Sequence, residues 1–237
     1  MEGEHFFRHR LQTGRVHKDR DTALLKLCRS KRVAHVGCVD WPLTQERLDD
    51  GSLFHAKLLR VTSRLIGIDV DEVGLDILRK SIGGDYVHLD PTDLASSPNS
   101  QIRWLQELKP EIVLVADVIE HVPRPQEFLR GIAALACEPA AKVVLTTPNS
   151  LAFRGSINTL LGYELMHADH VAVYSPMTLR TIIERSGLKV DVWDYYSIAS
   201  GTDALHRSYD ALARTAAKAR SGWADGHLVV ASRALGS

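Results

Sequence analysis

The sequence predicts an α/β domain: a mostly parallel sheet with helices on both faces. Two features carry that expectation. The first is Arg32 to Trp41, RVAHVGCVDW, a short apolar strand from Arg32 to Val36 that ends in a Gly37-Cys38 turn. The second is the alternation of strands and helices that follows, starting with a strand from Ser63 to Ile68 that closes on Asp69. Strand, glycine turn, helix, strand, acidic residue is the grammar of a nucleotide-binding unit, where the turn admits a ligand to the backbone and the carboxylate takes ribose hydroxyls. The G-x-G-x-x-G run that cradles pyrophosphate is absent, only Gly37 remaining. A ligand with ribose and adenine but no phosphate fits better.

The elements follow in order. Residues 1–20 are polar and basic and read as a solvated arm or first helix, with a flap over the ligand as the alternative. Asp21 to Ser30 has apolar residues at helical spacing. The stretch DWPLTQERLDDG reads as a loop, with Ser52 as N-cap of the helix SLFHAKLLRVTS. Strand RLIGID, a helix over Val73 to Lys80, a Gly83-Gly84 turn and a strand from Tyr86 to Leu89 lead to Asp90-Pro91. TDLASSPNSQ is loop-like, and Ile102 to Leu108 is helical. The near-continuous apolar run EIVLVAD suits a central parallel strand covered on both faces. A helix from Gln126 to Cys137 and the strand AKVVLTTP come next. Residues 150–174 form a long polar-aromatic excursion, read as a lid because long loops in compact domains are usually functional. Ser175-Pro176 opens the helix MTLRTIIERSG. Strand LKVDVWDYY, a helix over residues 203–219 and strand HLVVASR complete a seven-stranded sheet, its last two strands an antiparallel pair at the edge. Residues 1–237 then form a single domain, with 1–30 as its N-terminal helical arm.

Composition narrows the function. Lys+Arg and Asp+Glu are both 29 in 237 residues, so charge favours neither nucleic acid nor an anionic membrane. Hydrophobic residues at 45% allow a sizeable core, yet no apolar run approaches the roughly 18 residues of a bilayer span. The start, MEGEHFFRHR, lacks a signal peptide's apolar centre. Cys28, Cys38 and Cys137 lack metal spacing and read as reduced thiols of a cytoplasmic protein.

The motifs HVGCVD, LIGIDVD, VHLDPTD, VLVADVIEHVPRPQEFLRGI, VVLTTPNS and HVAVYSPMTLRTIIERSGLKV, in this order and at these strand ends, resemble a class I S-adenosylmethionine-dependent methyltransferase. The style is that of the ubiquinone-biosynthesis and small-molecule O-methyltransferase branch. The resemblance implies a Rossmann-like sheet and S-adenosylmethionine as cofactor, with S-adenosylhomocysteine as product. It places Gly37 and the Cys38 backbone against the aminocarboxypropyl arm. Asp69, with Val70 beside it, would take the ribose hydroxyls, Asp90 the adenine amino group with Leu89 and Pro91 near the ring, and Asp117 the methionine ammonium. Two departures stand out: His35 replaces an acidic residue, and Val39 and Asp40 replace glycines. Either His35 is a neutral packed imidazole, or Asp40 takes over the ammonium contact. His55 either reaches back to the cofactor or acceptor or is ordinary helix packing.

Methyl transfer to oxygen needs alignment with the methyl carbon and a base for the hydroxyl proton. His121, in the Glu120-His121 pair after EIVLVAD, is either the first candidate base or a structural histidine bonded to a lid carbonyl; His167 and His170 of the lid are the alternative bases. A divalent metal gathered by these histidines with Asp169 and Glu120 is open but not favoured, and the site reading includes no metal. Phe153, Tyr163 and Tyr174 are either an apolar acceptor wall or ordinary lid core. The expected activity is transfer of a methyl group to a hydroxyl of a small polar acceptor, with a weak lean to a sugar or glycoside. The partner is then a small molecule, with no nucleic acid and no membrane, and a homodimer is left open. The alternative is a cofactor-binding but catalytically silent interaction subunit.

Overall fold

The structure, a computed structural model, describes residues 10–95, 108–164, 166–199, 201 and 203–234. Its strands are β1 (Val16–His17), β2 (Arg32–Val36), β3 (Arg64–Asp69), β4 (Asp85–His88), β5 (Ile112–Ala116), β6 (Lys142–Pro148), β7 (Leu188–Tyr196) and β8 (Gly226–Arg233). They form one sheet in the order β1-β7-β8-β6-β5-β2-β3-β4. All pairings are parallel except those of β8, which runs antiparallel to both β6 and β7. The described helices are α1 (Arg20–Cys28), α2 (Thr44–Asp49), α3 (Phe54–Leu59), α4 (Glu72–Ile82), α5 (Pro125–Leu135), α6 (Phe153–Leu160), α7 (Pro176–Arg185) and α8 (Ala204–Ala219).

Period-two alternation sends successive strand residues to opposite faces. Val33, Leu65, Ile112, Leu114 and Val144 pack on one face with Leu24 and Leu58 of α1 and α3. Ala34, Ile66, Val113, Val115 and Val143 pack on the other with Phe128, Leu129 and Ile132 of α5. Both faces are thus covered, the condition under which a strand such as β5 can be apolar throughout. The chain leaves β2 toward β3 and β4, then returns to lay β5 and β6 on the opposite side of β2. The crevice at the carboxyl ends of β2 and β5 is where such sheets bind ligands.

Several sequence expectations are corrected. The sheet has eight strands because Val16–His17 adds to β7. Residues 10–19, the described part before α1, are therefore neither a helix nor a free arm: Tyr195 N donates to Arg15 O at 2.8 Å, and the Tyr195 hydroxyl to Gln12 O at 2.7 Å. The last two strands do form the expected antiparallel pair, with β8 between β6 and β7, but the two-residue β1 lies beyond β7 and takes the edge. Within the presumed loop DWPLTQERLDDG lies α2, and α3 starts at Phe54 with Leu53 as N-cap in place of Ser52. The lid contains α6, so it is not loop throughout. The helix expected over residues 102–108 lies, but for its last residue, outside the described residues.

Candidate active site

A cavity of about 330 Å³ opens at the switch point. Its walls come from the ends of the parallel strands: Val36 and Gly37 after β2, Asp69 and Val70 after β3, Leu89 to Thr92 after β4, and Val118 with His121 to Arg124 after β5. Phe128 of α5 closes it. Gly37 has φ of 74°, which disfavours other residues, and a Cβ there would meet Val118 Cγ2 at 2.3 Å. The glycine is thus required by the protein's own wall, where the sequence reading assigned the constraint to the ligand.

Asp69 is held by three backbone amides. Val39 N donates to Oδ2 at 2.9 Å, and Val70 N and Asp71 N donate to Oδ1 at 2.8 and 3.1 Å. Burial pushes its pKa up against the pull of these amides. By lone-pair count Oδ2 keeps one accepting position and Oδ1 is filled. Asp90 accepts from Thr92 N at 2.8 Å, starting the 3₁₀ turn Pro91–Ala95, and also lines the cavity beside Leu89 and Pro91. Gly37, Asp69, Val70, Asp90, Pro91 and His121 therefore converge on one hollow.

Cys38, Asp40 and Asp117 do not line it. Cys38 packs inward with Leu53, Leu75 and Leu78, and burial raises its thiol pKa well above the usual range. Asp40 is turned to an ion pair with Arg47, which α2 supplies. Asp117, at φ of 54°, is engaged by its neighbours: it pairs with Arg20, and Oδ1 accepts from Thr146 Oγ1 at 2.7 Å and the Tyr196 hydroxyl at 3.1 Å. Arg20 also meets Asp21 at 2.8 Å, and its pKa is raised by both carboxylates despite partial burial. Sequence reading missed Arg20; the only signal was a cation at the start of a helix beside the first strand.

His35 and His55 are each 2% exposed, with rings stacked and Nδ1 atoms 3.0 Å apart. One donates to the other, so each ring needs the other. Burial drives His35 well below its ordinary pKa, with His55 and Arg20 adding to the shift, and brings His55 to about 4. His55 thus packs against β2 and does not reach the ligand hollow.

The opposite rim holds solvent-facing histidines. His121 stands 4.7 Å from His170 and 5.9 Å from His167 by ring centroids, and His167 lies 5.5 Å from His170. His121 Nδ1 donates to the Asp169 carbonyl at 3.2 Å. The lid is fixed to the turn after β5 because Val171 N and Ala172 N donate to Glu120 O at 2.9 and 3.2 Å. The Glu120 side chain points inward, accepting from Thr147 Oγ1 at 2.9 Å, with Oε1 lacking a partner among the described residues. Burial, reinforced by Asp117, raises its pKa to about 8. Tyr174 is core, its carbonyl accepting from His227, while Tyr163 is exposed and Phe153 leans on Trp223. None of these aromatic residues lines the cavity.

A hollow at the strand ends, floored by Gly37 and flanked by Asp69 and Asp90, belongs with a particular enzyme family. The model of the methyltransferase domain matches residues 44–191, well over half of the chain. This protein belongs to the methyltransferase-domain family. The family match begins beyond the His35–Asp40 turn, the segment that departs most from the expected pattern.

Solved structures share the fold. A S-adenosylmethionine-dependent methyltransferase from Archaeoglobus fulgidus aligns at 16% identity and TM-score 0.51 over 90% of this chain and 92% of its own. Magnesium protoporphyrin IX methyltransferase from Synechocystis PCC 6803, solved with bound S-adenosylhomocysteine, aligns at 12% and 0.54 over 90% and 82%. The small RNA methyltransferase HEN1 aligns at 14% and 0.57 over 96% of this chain but 27% of that longer protein. No curated protein sequence matches the chain.

Proposed function

We propose that this chain transfers a methyl group from S-adenosylmethionine to a hydroxyl of a small polar acceptor, with sugars and glycosides the favoured class. The observation that carries the reading is the placement of Asp69, Asp90 and His121 around one hollow of about 330 Å³. Two carboxylates on successive strand ends, with Leu89, Pro91 and Phe128 between and beyond them, offer polar anchors and an apolar slot suited to a nucleoside. When bound, S-adenosylmethionine supplies an electrophilic methyl group. The Asp69 Oδ2 position accepts a ribose hydroxyl. Asp90 accepts from the adenine amino group, and the apolar residues exclude water from the ring. His121 keeps its proton on Nδ1, against the Asp169 carbonyl, and so presents Nε2 as the acceptor of the substrate's hydroxyl proton. His167 and His170 share that rim. The engaged Asp117 and the His35–His55 pair leave the methionine end without a free acid among the lining residues, which is the observation favouring the second reading, a silent cofactor-binding subunit.

The lean to sugars rests on a lid carrying His167, Asp169 and His170 in place of apolar side chains. Balanced charge supports a small-molecule acceptor over nucleic acid. Calorimetric titration with S-adenosylmethionine and S-adenosylhomocysteine tests the first half. Asp69→Ala should weaken both by at least ~100-fold, the scale of a charge-assisted hydrogen bond plus the freed amides it leaves behind. Equal binding by the variant would sink the site. Methyl transfer to a panel of glycosides, phenols and an oligonucleotide then separates the enzyme from the silent subunit.

A further inference from the structure

We propose that His121, His167 and His170 form a binding site for one divalent transition-metal ion of the zinc or cobalt kind, clasping the lid to the turn after β5 at the mouth of the cavity. One ligand atom from each imidazole can be chosen so that all lie within 4.8 Å of one another. Tetrahedral coordination with bonds of about 2.0–2.1 Å sets nitrogens about 3.3 Å apart, so a side-chain adjustment of ~1.5 Å closes the set. His121 and His167 are exposed and His170 half-buried, so rotamer changes of that size meet little resistance.

The surroundings prepare the ligands. The carbonyl of Asp169 can only accept, so His121 carries its proton on Nδ1 and keeps the Nε2 lone pair free. A carbonyl bonded to the far nitrogen is the usual way of orienting a metal-bound imidazole. His167 Nδ1 receives a long 3.3 Å bond from the Asp169 amide and lies 3.8 Å from the Asp169 carboxylate, contacts that a metal bond can replace. The lid backbone is already pinned: His170 N donates to His167 O at 3.1 Å, and the next two amides to Glu120 O. Little ordering remains to oppose binding.

The donor set selects the ion. Three imidazoles suit zinc, cobalt, nickel or copper, whereas magnesium and calcium require oxygen ligands. Three protein ligands leave a fourth position for water or a substrate oxygen, the arrangement of catalytic sites. A hydroxyl bound at that position would lose its proton more readily, and with the ion in place His121 Nε2 is a ligand, so the metal takes over the activation that the metal-free reading gives to His121. This catalytic use rests on the methyl-transfer reading; the binding of the ion does not.

Cobalt(II) titration of chelator-stripped protein, followed by visible absorption and calorimetry, decides the matter. The expected result is one equivalent with the intense visible bands of four-coordinate cobalt, displaced by zinc and unaffected by magnesium. His121→Ala, His167→Ala and His170→Ala should each weaken binding by at least ~10-fold. His206→Ala, which removes an exposed imidazole bound to Asp203 elsewhere on the surface, should leave it unchanged. Asp69→Ala should retain cobalt while losing the nucleoside, so failure of the cofactor site and failure of the metal site give different patterns. The weak bands of hydrated six-coordinate cobalt would overturn the proposal. So would an equivalent that survives all three histidine substitutions.

Discussion

Two groups of histidines flank the same glycine turn region, and the same side chain does opposite work in them. His35 of β2 and His55 of α3 are sealed from water and hold each other through a single bond between Nδ1 atoms. His121 and His167 stand in solvent beside the half-buried His170 at the cavity rim, and both are bonded to the Asp169 backbone. Burial penalises the imidazolium, so the inner pair stays neutral and serves packing. The rim trio keeps lone pairs available to protons, metals and substrate. Identity of residue type therefore says little about role; the dielectric around the ring and the partner of its second nitrogen decide it.

The sharpest way to separate the groups is acid. An unfolded chain takes up a proton on each histidine near pH 6.5, while folded His55 and His227 resist until about pH 4. Each therefore stabilises the fold fully above the unfolded value and loses that contribution as pH falls from about 6.5 through about 4. The shift corresponds to about 3 kcal/mol per histidine. Urea denaturation at a series of pH values between neutrality and this range should show the loss. A flat profile would mean these rings are not sealed.

Next in size is His121→Ala. Loss of a general base should lower turnover about 100-fold, equivalent to ~2.7 kcal/mol, while unfolding free energy changes by less than about 0.5 kcal/mol, as for other exposed sites. A comparable fall in stability would move His121 into the structural group.

The smaller effect is the mirror image. His55→Ala removes a packed ring and orphans the His35 nitrogen, which should cost about 2 kcal/mol in chemical denaturation. Reaction of the rim histidines with an acylating reagent should be unaltered. Altered rim reactivity would show that the two groups are linked through the sheet.

Much of the fold was legible because its signals are local. Apolar runs such as IVLVA, the Gly37 turn and the acids ending β3 and β4 repeat at strand or helix period. Asp69 and Asp90 could be placed at one edge by strand order alone. Other surroundings were not legible because partners distant in sequence decide them. Asp117 ends β5 as expected, but Arg20 and Tyr196 come from the first helix and β7 to occupy it. Asp40 follows the glycine turn, yet α2 brings Arg47 to it. Val16–His17 is too short to register as a strand until β7 offers an edge.

The sequence by itself determined the α/β alternation, the switch-point hollow and the carboxylates beside it, since backbone periodicity and turn chemistry act over a few residues. Tertiary structure alone decided that β8 enters between β6 and β7, that His35 meets His55, and that His121 meets two histidines more than forty positions further along. Those outcomes depend on which surfaces exclude water together, and exclusion of water is a property of the packed whole.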